Sequence, residues 1–207
     1  MPNVAPSSAM TPRSRGRPRE FDVKDALDKA VGVFRERGYH ATSVNDLTGA
    51  MELASGSIYK AFKDKRAVFL AAFDRYKVVR DEKLRNATRA GKTGRDRICK
   101  ALSFYVEASH GAEGRRGCLV VGCAAELATF DAEIAARVTG ALRKNEAFLA
   151  DLIRQGQEDG SIPSHIDAEA TARVMVCLTQ GLRIVGKTGR TRAELAKTVE
   201  IAMKVLA

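Results

Sequence analysis

The spacing of the apolar residues constrains the fold of this chain more than any other feature. They recur every three or four positions, as in the stretch Val23, Ala26, Leu27, Ala30, Val31 and Phe34, which is the period of an amphipathic helix. The same period continues to the end of the chain, and no segment alternates apolar and polar residues as a half-buried strand does. The sequence therefore predicts an all-α fold.

Capping residues place the ends of the predicted helices. The first runs from the N-cap Asp22 to the stop at Gly38, a second begins at Thr42 or Ser43, and a third covers 55–62. A long fourth helix follows the cap Asp64 and ends at 91–94. Further helices are expected at about 95–110, 118–129, 132–157, 167–187 and 191–206, with breaks at 111–117 and 160–163.

The positive charge of the chain is confined to its first half. Residues 1–100 hold 22 Lys and Arg against 12 Asp and Glu, whereas residues 101–207 hold 13 of each, so the whole net charge of +10 falls in the first half. Such asymmetry indicates an N-terminal half that meets a polyanion, with a solvated basic surface as the alternative.

The first eighteen residues predict a flexible basic arm. They are rich in Pro, Ser, Gly and Arg and nearly free of apolar residues, so they cannot form a core. Arg15 and Arg17, with Arg13 and Arg19 beside them, could enter the minor groove of DNA. The alternative is a tail that only adds solubility.

Three short helices within about 40 residues, the last two joined by a tight turn, predict a helix-turn-helix. In such a unit the N-terminal residues of the last short helix face the base edges of the major groove. The residues at that place are Ser55, Gly56, Ser57, Tyr59 and Lys60. A helical hairpin in an ordinary bundle is the alternative, but the basic arm and the charge asymmetry favour DNA.

Two strings of residues resemble a known family. The stretch Gly38-Tyr39-x-x-Thr42-Ser43-Val44-x-Asp46-Leu47 and the stretch Ser55-Gly56-Ser57-Ile58-Tyr59-x-x-Phe62-x-x-Lys65 are similar to the DNA-binding domain of TetR-type regulators over about residues 19–70. The resemblance implies phosphate contacts by Thr42, Tyr59 and Lys65 and base contacts by Ser55, Ser57 and Lys60, with Ser43 and Gly56 at the same surface. Glu52, Ala54 and Ala61 depart from the family pattern at the turn, the cap and an aromatic position.

The resemblance also implies how the rest of the chain is organised. We expect an arm at 1–18, a DNA-binding domain at 19–66, and a ligand-binding and dimerisation domain at 67–207. The last two helices, apolar over wide faces, would form a homodimer interface. Middle helices would enclose an unknown small-molecule effector, with candidate contacts at Leu102, Tyr105, Cys118, Leu119, Phe130, Phe148 and Met175. The alternative is that these residues are plain core.

Cys118 follows Arg115, Arg116 and Gly117 at a predicted helix start. Arginines and a helix N-terminus lower a thiol pKa, so Cys118 is a candidate redox or electrophile sensor, although some buried thiols are inert core residues. The four cysteines of the chain show no CxxC pair and no metal-ligand spacing, which indicates a reducing, cytoplasmic compartment and no metal.

Residues 181–188 match the Walker A string, yet helical patterning precedes them and no strand ending in Asp accompanies them. An NTPase is therefore a remote alternative. His40, His110 and His165 are scattered, so we expect no enzyme and no cofactor. A third alternative is a protein that binds a membrane surface through the basic helix 64–88, but this function would not explain the helix-turn-helix. No apolar run is long enough to span a membrane. The sequence predicts a ligand-responsive regulator, a repressor bound as a dimer to a palindromic operator.

Overall fold

The computed structural model describes residues 22–207, so the predicted arm, with Arg15 and Arg17, lies outside the described residues. The described part is helical and contains no strand, which confirms the all-α prediction. Its α-helices are α1 Val23–Arg37, α2 Val44–Met51, α3 Ser55–Ala61, α4 Lys65–Arg89, α5 Gly94–Glu107, α6 Gly111–Arg116, α7 Leu119–Glu126, α8 Ala132–Glu158, α9 Ala168–Val185 and α10 Arg192–Ala202. Short 3₁₀ turns, Gly186–Thr188 and Met203–Leu206, follow α9 and α10.

The first two helices begin where the capping residues predict, and α1 also ends there. The Asp22 side chain accepts hydrogen bonds from the N–H groups of Lys24 and Asp25 at the start of α1, and Gly38, at φ 77°, ends that helix. Ser43 and Asp46 form a reciprocal capping box at the start of α2, which satisfies two of the free N–H groups of the first turn.

Two apolar cores lie along the molecule. The first joins α1–α3 and the start of α4 to α7 and the first half of α8, through the contacts of residues such as Phe34, Leu47, Ile58, Phe69 and Leu119. The predicted DNA-binding segment, α1–α3, therefore shares its core with α7 and α8.

The second core lies between α5, the end of α8, α9 and α10. Its fully buried members include Ile98, Leu102, Ile153 and Met175. The helix α5 approaches α8 closely at Gly94, where an added Cβ would lie 2.1 Å from the backbone nitrogen of Gly156. This second core positions the last two helices of the chain.

The predicted break at 111–117 is wrong in part, because it contains the short helix α6, Gly111–Arg116. No apolar period marks this helix, and it packs through Gly114, where an added Cβ would lie 2.5 Å from the carbonyl carbon of Ser109. Because backbone atoms make this contact, the sequence contains no apolar side chain that would predict the helix. In the described residues, none of the helices is long and apolar enough to cross a membrane.

Candidate functional site

The helix α3 presents the predicted recognition residues on the surface. Ser55, Gly56, Tyr59 and Lys60 are exposed, and Ser57 is half-buried. Ile58, only 2% exposed, anchors the helix to the first core. No atom outside the neighbouring backbone lies within 4 Å of an added Cβ at Gly56, so the first turn of α3 is open to an approaching ligand.

Thr42 and Lys65 are used inside the protein. Thr42 is 1% exposed, and its hydroxyl donates to the Gly38 carbonyl at 2.6 Å. The Lys65 ammonium donates to the carbonyls of Tyr39 and Thr42 at 3.1 and 2.9 Å and lies 4.4 Å from the Tyr39 ring centroid. These contacts fix the connection from α1 to α2, and the phosphate contacts expected of Thr42 and Lys65 stay a prediction.

The turn between α2 and α3 carries two of the noted departures. Glu52 is the one non-glycine residue with positive φ among residues 22–207, at φ 56° and ψ 38°, and its carboxylate lies 3.2 Å from the Lys29 ammonium. Ala54 occupies the N-cap of α3, where no side chain accepts a hydrogen bond from the first turn. The recognition helix therefore begins without a side-chain cap.

The Gly117 carbonyl joins the DNA-binding segment to the rest of the chain. Arg35, on α1, donates to this oxygen from Nε at 3.0 Å and from Nη2 at 2.7 Å, and it pairs with the Glu113 carboxylate on α6 at 2.7 Å. Arg183, on α9, donates to the same oxygen from Nη2 at 2.5 Å. Gly117 itself has φ 77° and ψ −163°, a backbone conformation that favours glycine.

Cys118 lies directly after this junction, at the N-cap of α7. Its thiol accepts a hydrogen bond from the Tyr76 hydroxyl at 3.4 Å. The residue is partly exposed and lines a cleft of about 230 Å³ between α1 and α7, together with residues such as Phe34, Arg35, Tyr39 and Lys187. Cys118 therefore lies at the edge of a cleft that opens beside α1.

The charges around Cys118 favour its thiolate form. Burial would raise the pKa of the thiol, but the Arg80 guanidinium, the hydrogen bond from Tyr76 and the Arg183 guanidinium together hold that pKa below its ordinary value. The sequence led us to expect that the adjacent Arg115 and Arg116 lower the pKa of this thiol. The arginines that do so are Arg80 and Arg183. By contrast, burial raises the pKa of Cys123 to about 12.

The predicted effector contacts do not form one group. Leu102, Tyr105 and Met175 are buried in the second core, and Leu119 is buried in the first, beside Cys118. Phe148 lines a separate groove of about 310 Å³ with Arg85 and Arg97. Phe130 is 87% exposed, which contradicts its assignment to an internal cavity. It lies in the connection between α7 and α8, where nothing covers its ring.

The Walker A string has no phosphate-binding loop. Residues 181–185 form the last turns of α9, and Gly186–Thr188 continue as a 3₁₀ turn. A P-loop holds phosphate with free backbone N–H groups after a strand, whereas the N–H groups of a helix interior are already bonded within the helix. The remote NTPase alternative therefore loses its structural basis.

The last two helices leave apolar side chains uncovered. The exposed residues are Val174, Ile184 and Val185 on α9 and Ile201 and Val205 at the end of the chain, each between 40% and 56% exposed. Between α9 and α10 lies a groove of about 490 Å³ lined by Leu178, Gly181, Leu182, Val185, Arg190, Glu194, Leu195 and Thr198. In residues 22–207 no group of three or more His, Cys, Asp or Glu side chains could hold a metal ion.

Sequence reasoning missed the roles of Arg35, Arg80 and Arg183. Arg183 falls within the apolar stripe of α9 that includes Met175, Thr179 and Leu182, and it is 1% exposed. A charged residue at a core position of a helix is a signal that could have been noticed. Its partner, the Gly117 carbonyl, is 66 positions away and leaves no mark in the sequence.

The fold and the exposed recognition helix define a helix-turn-helix DNA-binding regulator. A family profile described as "Bacterial regulatory proteins, tetR family" matches residues 26–72, and one described as "Tetracyclin repressor-like, C-terminal domain" matches residues 94–202. The chain belongs to the TetR family of transcriptional regulators.

Individual relatives agree with this assignment. The HTH-type transcriptional repressor ComR of Escherichia coli (strain K12) is 31% identical, over 95% of this chain and 92% of ComR. The repressor NemR of the same strain is 24% identical, over 91% of this chain and 96% of NemR. A cysteine variant of the regulator CifR, solved with a 26-base-pair operator duplex, superposes with a TM-score of 0.83 at 28% identity, over 93% of this chain and all of that one.

Proposed function

We propose that this protein is a homodimeric, effector-responsive repressor that reads a palindromic operator with α3 in the major groove. The observation that carries the proposal is the surface of α3, where small and polar residues are exposed on a helix anchored by Ile58. Ser55, Ser57 and Lys60 would contact base edges, and Tyr59 would contact a phosphate. The structure of CifR with operator DNA and the repressor ComR support this assignment by similarity.

The exposed apolar face of α9 and α10 supports the dimer. A soluble monomer rarely leaves a large contiguous apolar patch in water, and a second copy packed on this face would cover Val174, Ile184 and Ile201. A two-fold dimer would place its recognition helices about 34–36 Å apart, one turn of DNA. The proposal places the protein in the cytoplasm, where it meets the chromosome.

The Gly117 junction supports a route from effector to DNA. Arg35 belongs to α1 of the DNA-binding segment, and Arg183 belongs to α9 of the dimer face, yet both bind one carbonyl. An effector that moves the connection between α6 and α7 would change the position of α1 and therefore the spacing of the two α3 helices. A difference in effector affinity of a few kcal/mol between two states is enough for such a switch.

The test is selection of genomic DNA fragments by the purified protein at several salt concentrations, followed by affinity measurements on the enriched sequence. We expect an enriched palindrome, bound by a dimer, with affinity that falls steeply as salt rises. The double variant Tyr59→Phe, Lys60→Met should bind the enriched sequence more weakly and with a reduced preference over other DNA, whereas Lys197→Met on α10 should match wild type. Weak binding without any enriched sequence would contradict the proposal.

A second candidate function is regulation through the thiol of Cys118. The observation that favours it is the setting of the sulfur, hydrogen-bonded to Tyr76 at 3.4 Å and lining an open cleft. Hydrogen peroxide or iodoacetamide should then release the wild-type protein from its operator and leave Cys118→Ser bound. Cys177→Ser serves as the control, because Cys177 is exposed and remote in sequence. Equal release of wild type and Cys118→Ser would contradict this second function.

A further inference from the structure

The cluster beside Cys118 contains hydrogen-bond donors that no group in the protein uses. Arg183 is 1% exposed, and its Nε and Nη1 have no partner. The same holds for Nη2 of Arg80 and Oγ of Ser109, and these four are the buried, unpartnered side-chain N and O atoms of residues 22–207. A buried donor without a partner is unfavourable, and more so when it is charged.

The two guanidinium groups also have no carboxylate. Among the described residues neither Arg80 nor Arg183 lies within 4.0 Å of an Asp or Glu oxygen, although most other arginines form such ion pairs. Glu113, the nearby acid, is already paired with Arg35 at 2.7 Å. Since a buried charge is stable only when it is balanced, the cluster lacks a negative charge.

Different helices bring the two arginines to the same sulfur. Arg80, on α4, lies over two aromatic rings of α5, with its Cζ 4.9 Å from the Phe104 centroid and 5.1 Å from the Tyr105 centroid. Arg183, on α9, is held by the Gly117 carbonyl, one residue before Cys118. Both guanidinium charges act on the Cys118 thiol.

A cleft of about 230 Å³ lies beside Cys118. Cys118 and Lys187 line it, whereas Arg80 and Arg183 do not. Lys187 forms no ion pair within the described part of the chain. Because the free donors of the two arginines are buried behind Cys118, we expect the molecule that they bind to be small.

We propose that a short-chain monocarboxylate binds beside Cys118, with its oxygens accepting the free N–H groups of Arg183 and Arg80. A planar carboxylate fits the fork of a guanidinium in a bidentate manner. A single charge is also easier to bury than the double charge of a phosphate. This inference deepens the proposed function, on which it rests, by naming the chemical class of the effector.

The alternative occupant is the ionised thiol of Cys118, serving alone as the counter-ion of both arginines. The two hypotheses predict different carboxylate binding by the variant Cys118→Ser and by the wild-type protein. If the arginines hold a carboxylate, removing the competing thiolate leaves carboxylate binding intact or tighter. If the thiolate is the whole partner, the wild-type protein has no site for an added acid.

The experiment measures binding of acetate and propanoate to the full-length protein by calorimetry and by the shift in melting temperature, with propanamide as the neutral isostere. We expect saturable binding of propanoate and none of propanamide. Arg183→Lys and Arg80→Lys keep the charge and lose the fork, and each should weaken propanoate binding about tenfold or more, the equivalent of about 1.4 kcal/mol. Cys118→Ser should still bind, and Arg173→Met, at an exposed pair with Glu146, should match wild type.

No saturable binding of either acid by the wild-type protein would overturn the inference, as would binding that both lysine variants retain in full. Operator affinity, measured without added acid, reports separately on the proposed function. A protein that binds propanoate through Arg183 but shows no selected operator would keep this site and lose the proposed regulator. A protein that selects an operator but binds neither acid would keep the proposed regulator and lose this site.

Discussion

Arg35 and Arg183 donate hydrogen bonds to one and the same oxygen, the carbonyl of Gly117, from Nη2 atoms at 2.7 and 2.5 Å. One arginine lies on the first described helix and the other on α9, so a single backbone atom connects the DNA-binding segment to the dimer face. The backbone N–H of Gly117 in turn donates to the Gly114 carbonyl of α6 at 3.0 Å.

Removing one of these donors should destabilise the fold. Arg35→Met deletes the bonds to Gly117 and leaves the Glu113 carboxylate without its partner, so we expect a loss of about 1.5–3 kcal/mol in the free energy of unfolding. Urea denaturation followed by circular dichroism measures it. Arg37→Met is the matched control, since Arg37 pairs with Asp46 at 56% side-chain exposure and should lose less than about 1 kcal/mol. Equal losses in the two variants would refute the special role of Arg35.

Adding a cap to the recognition helix should stabilise the protein. Ala54 occupies the N-cap of α3 with φ −65° and ψ 146°, a conformation in which a serine hydroxyl can accept from the first turn. Ala54→Ser is therefore expected to raise the free energy of unfolding by about 0.5–2 kcal/mol. Thermal unfolding in the absence of DNA measures the effect. Ala61→Ser, at the exposed end of the same helix, should give no gain, and a comparable gain there would rule out capping as the cause.

Tyr59 and Lys60 should differ in how they affect DNA recognition. Tyr59→Phe removes the proposed phosphate contact and should weaken binding by a similar factor on every sequence. Lys60→Met should cost about 1–3 kcal/mol on the operator and relax the preference at one base pair. Fluorescence anisotropy on the selected operator and on its single-base variants separates the two patterns. If Lys60→Met keeps the full base preference, the side chain does not read a base.

The reactivity of Cys118 should depend on pH in a way that the other thiols do not share. Its pKa lies below the ordinary value, and a thiolate is the reactive form, so its alkylation should reach half of its maximal rate at a lower pH in the native protein than in urea. Mass spectrometry after brief iodoacetamide treatment across a pH series measures this midpoint. Burial raises the pKa of Cys123 to about 12, so Cys123 should stay unmodified in the native protein.

Two tyrosine variants locate the cause of that shift. Tyr76→Phe removes the hydrogen bond to the sulfur and should move the Cys118 midpoint to higher pH. Tyr105→Phe instead removes a hydrogen bond with Asn145 and should leave the midpoint near that of wild type. An unchanged midpoint in Tyr76→Phe would show that the hydrogen bond does not contribute.

The sequence was informative where a local signal decides the structure. Asp22, Gly38, Ser43 and Asp64 act on residues within one helical turn, so the ends of α1, α2 and α4 could be predicted from them. The exposed residues of α3 follow in the same way from the position of Ile58 on its buried side.

Other features depend on atoms that are distant in sequence. Thr42 and Lys65 donate hydrogen bonds to backbone carbonyls, which every residue has, so no residue type in the sequence predicts these contacts. The helix α6 packs by its glycine backbone and shows no apolar period. The arginines around Cys118 come from α4 and α9, and only the tertiary structure brings them together.

The helix α8 has 27 residues and contributes to both cores. Ile134 and Val138 near its start pack with the DNA-binding segment, while Leu149 and Ile153 near its end pack in the second core. A helix of that length runs for about 40 Å as one stiff rod. The boundary that separates the two matched family profiles is therefore not a place where the molecule can be cut. A fragment ending after α4 would lose Leu119, Leu127 and Ile134 from its own interior, and the exposed apolar surface would invite aggregation in place of DNA binding.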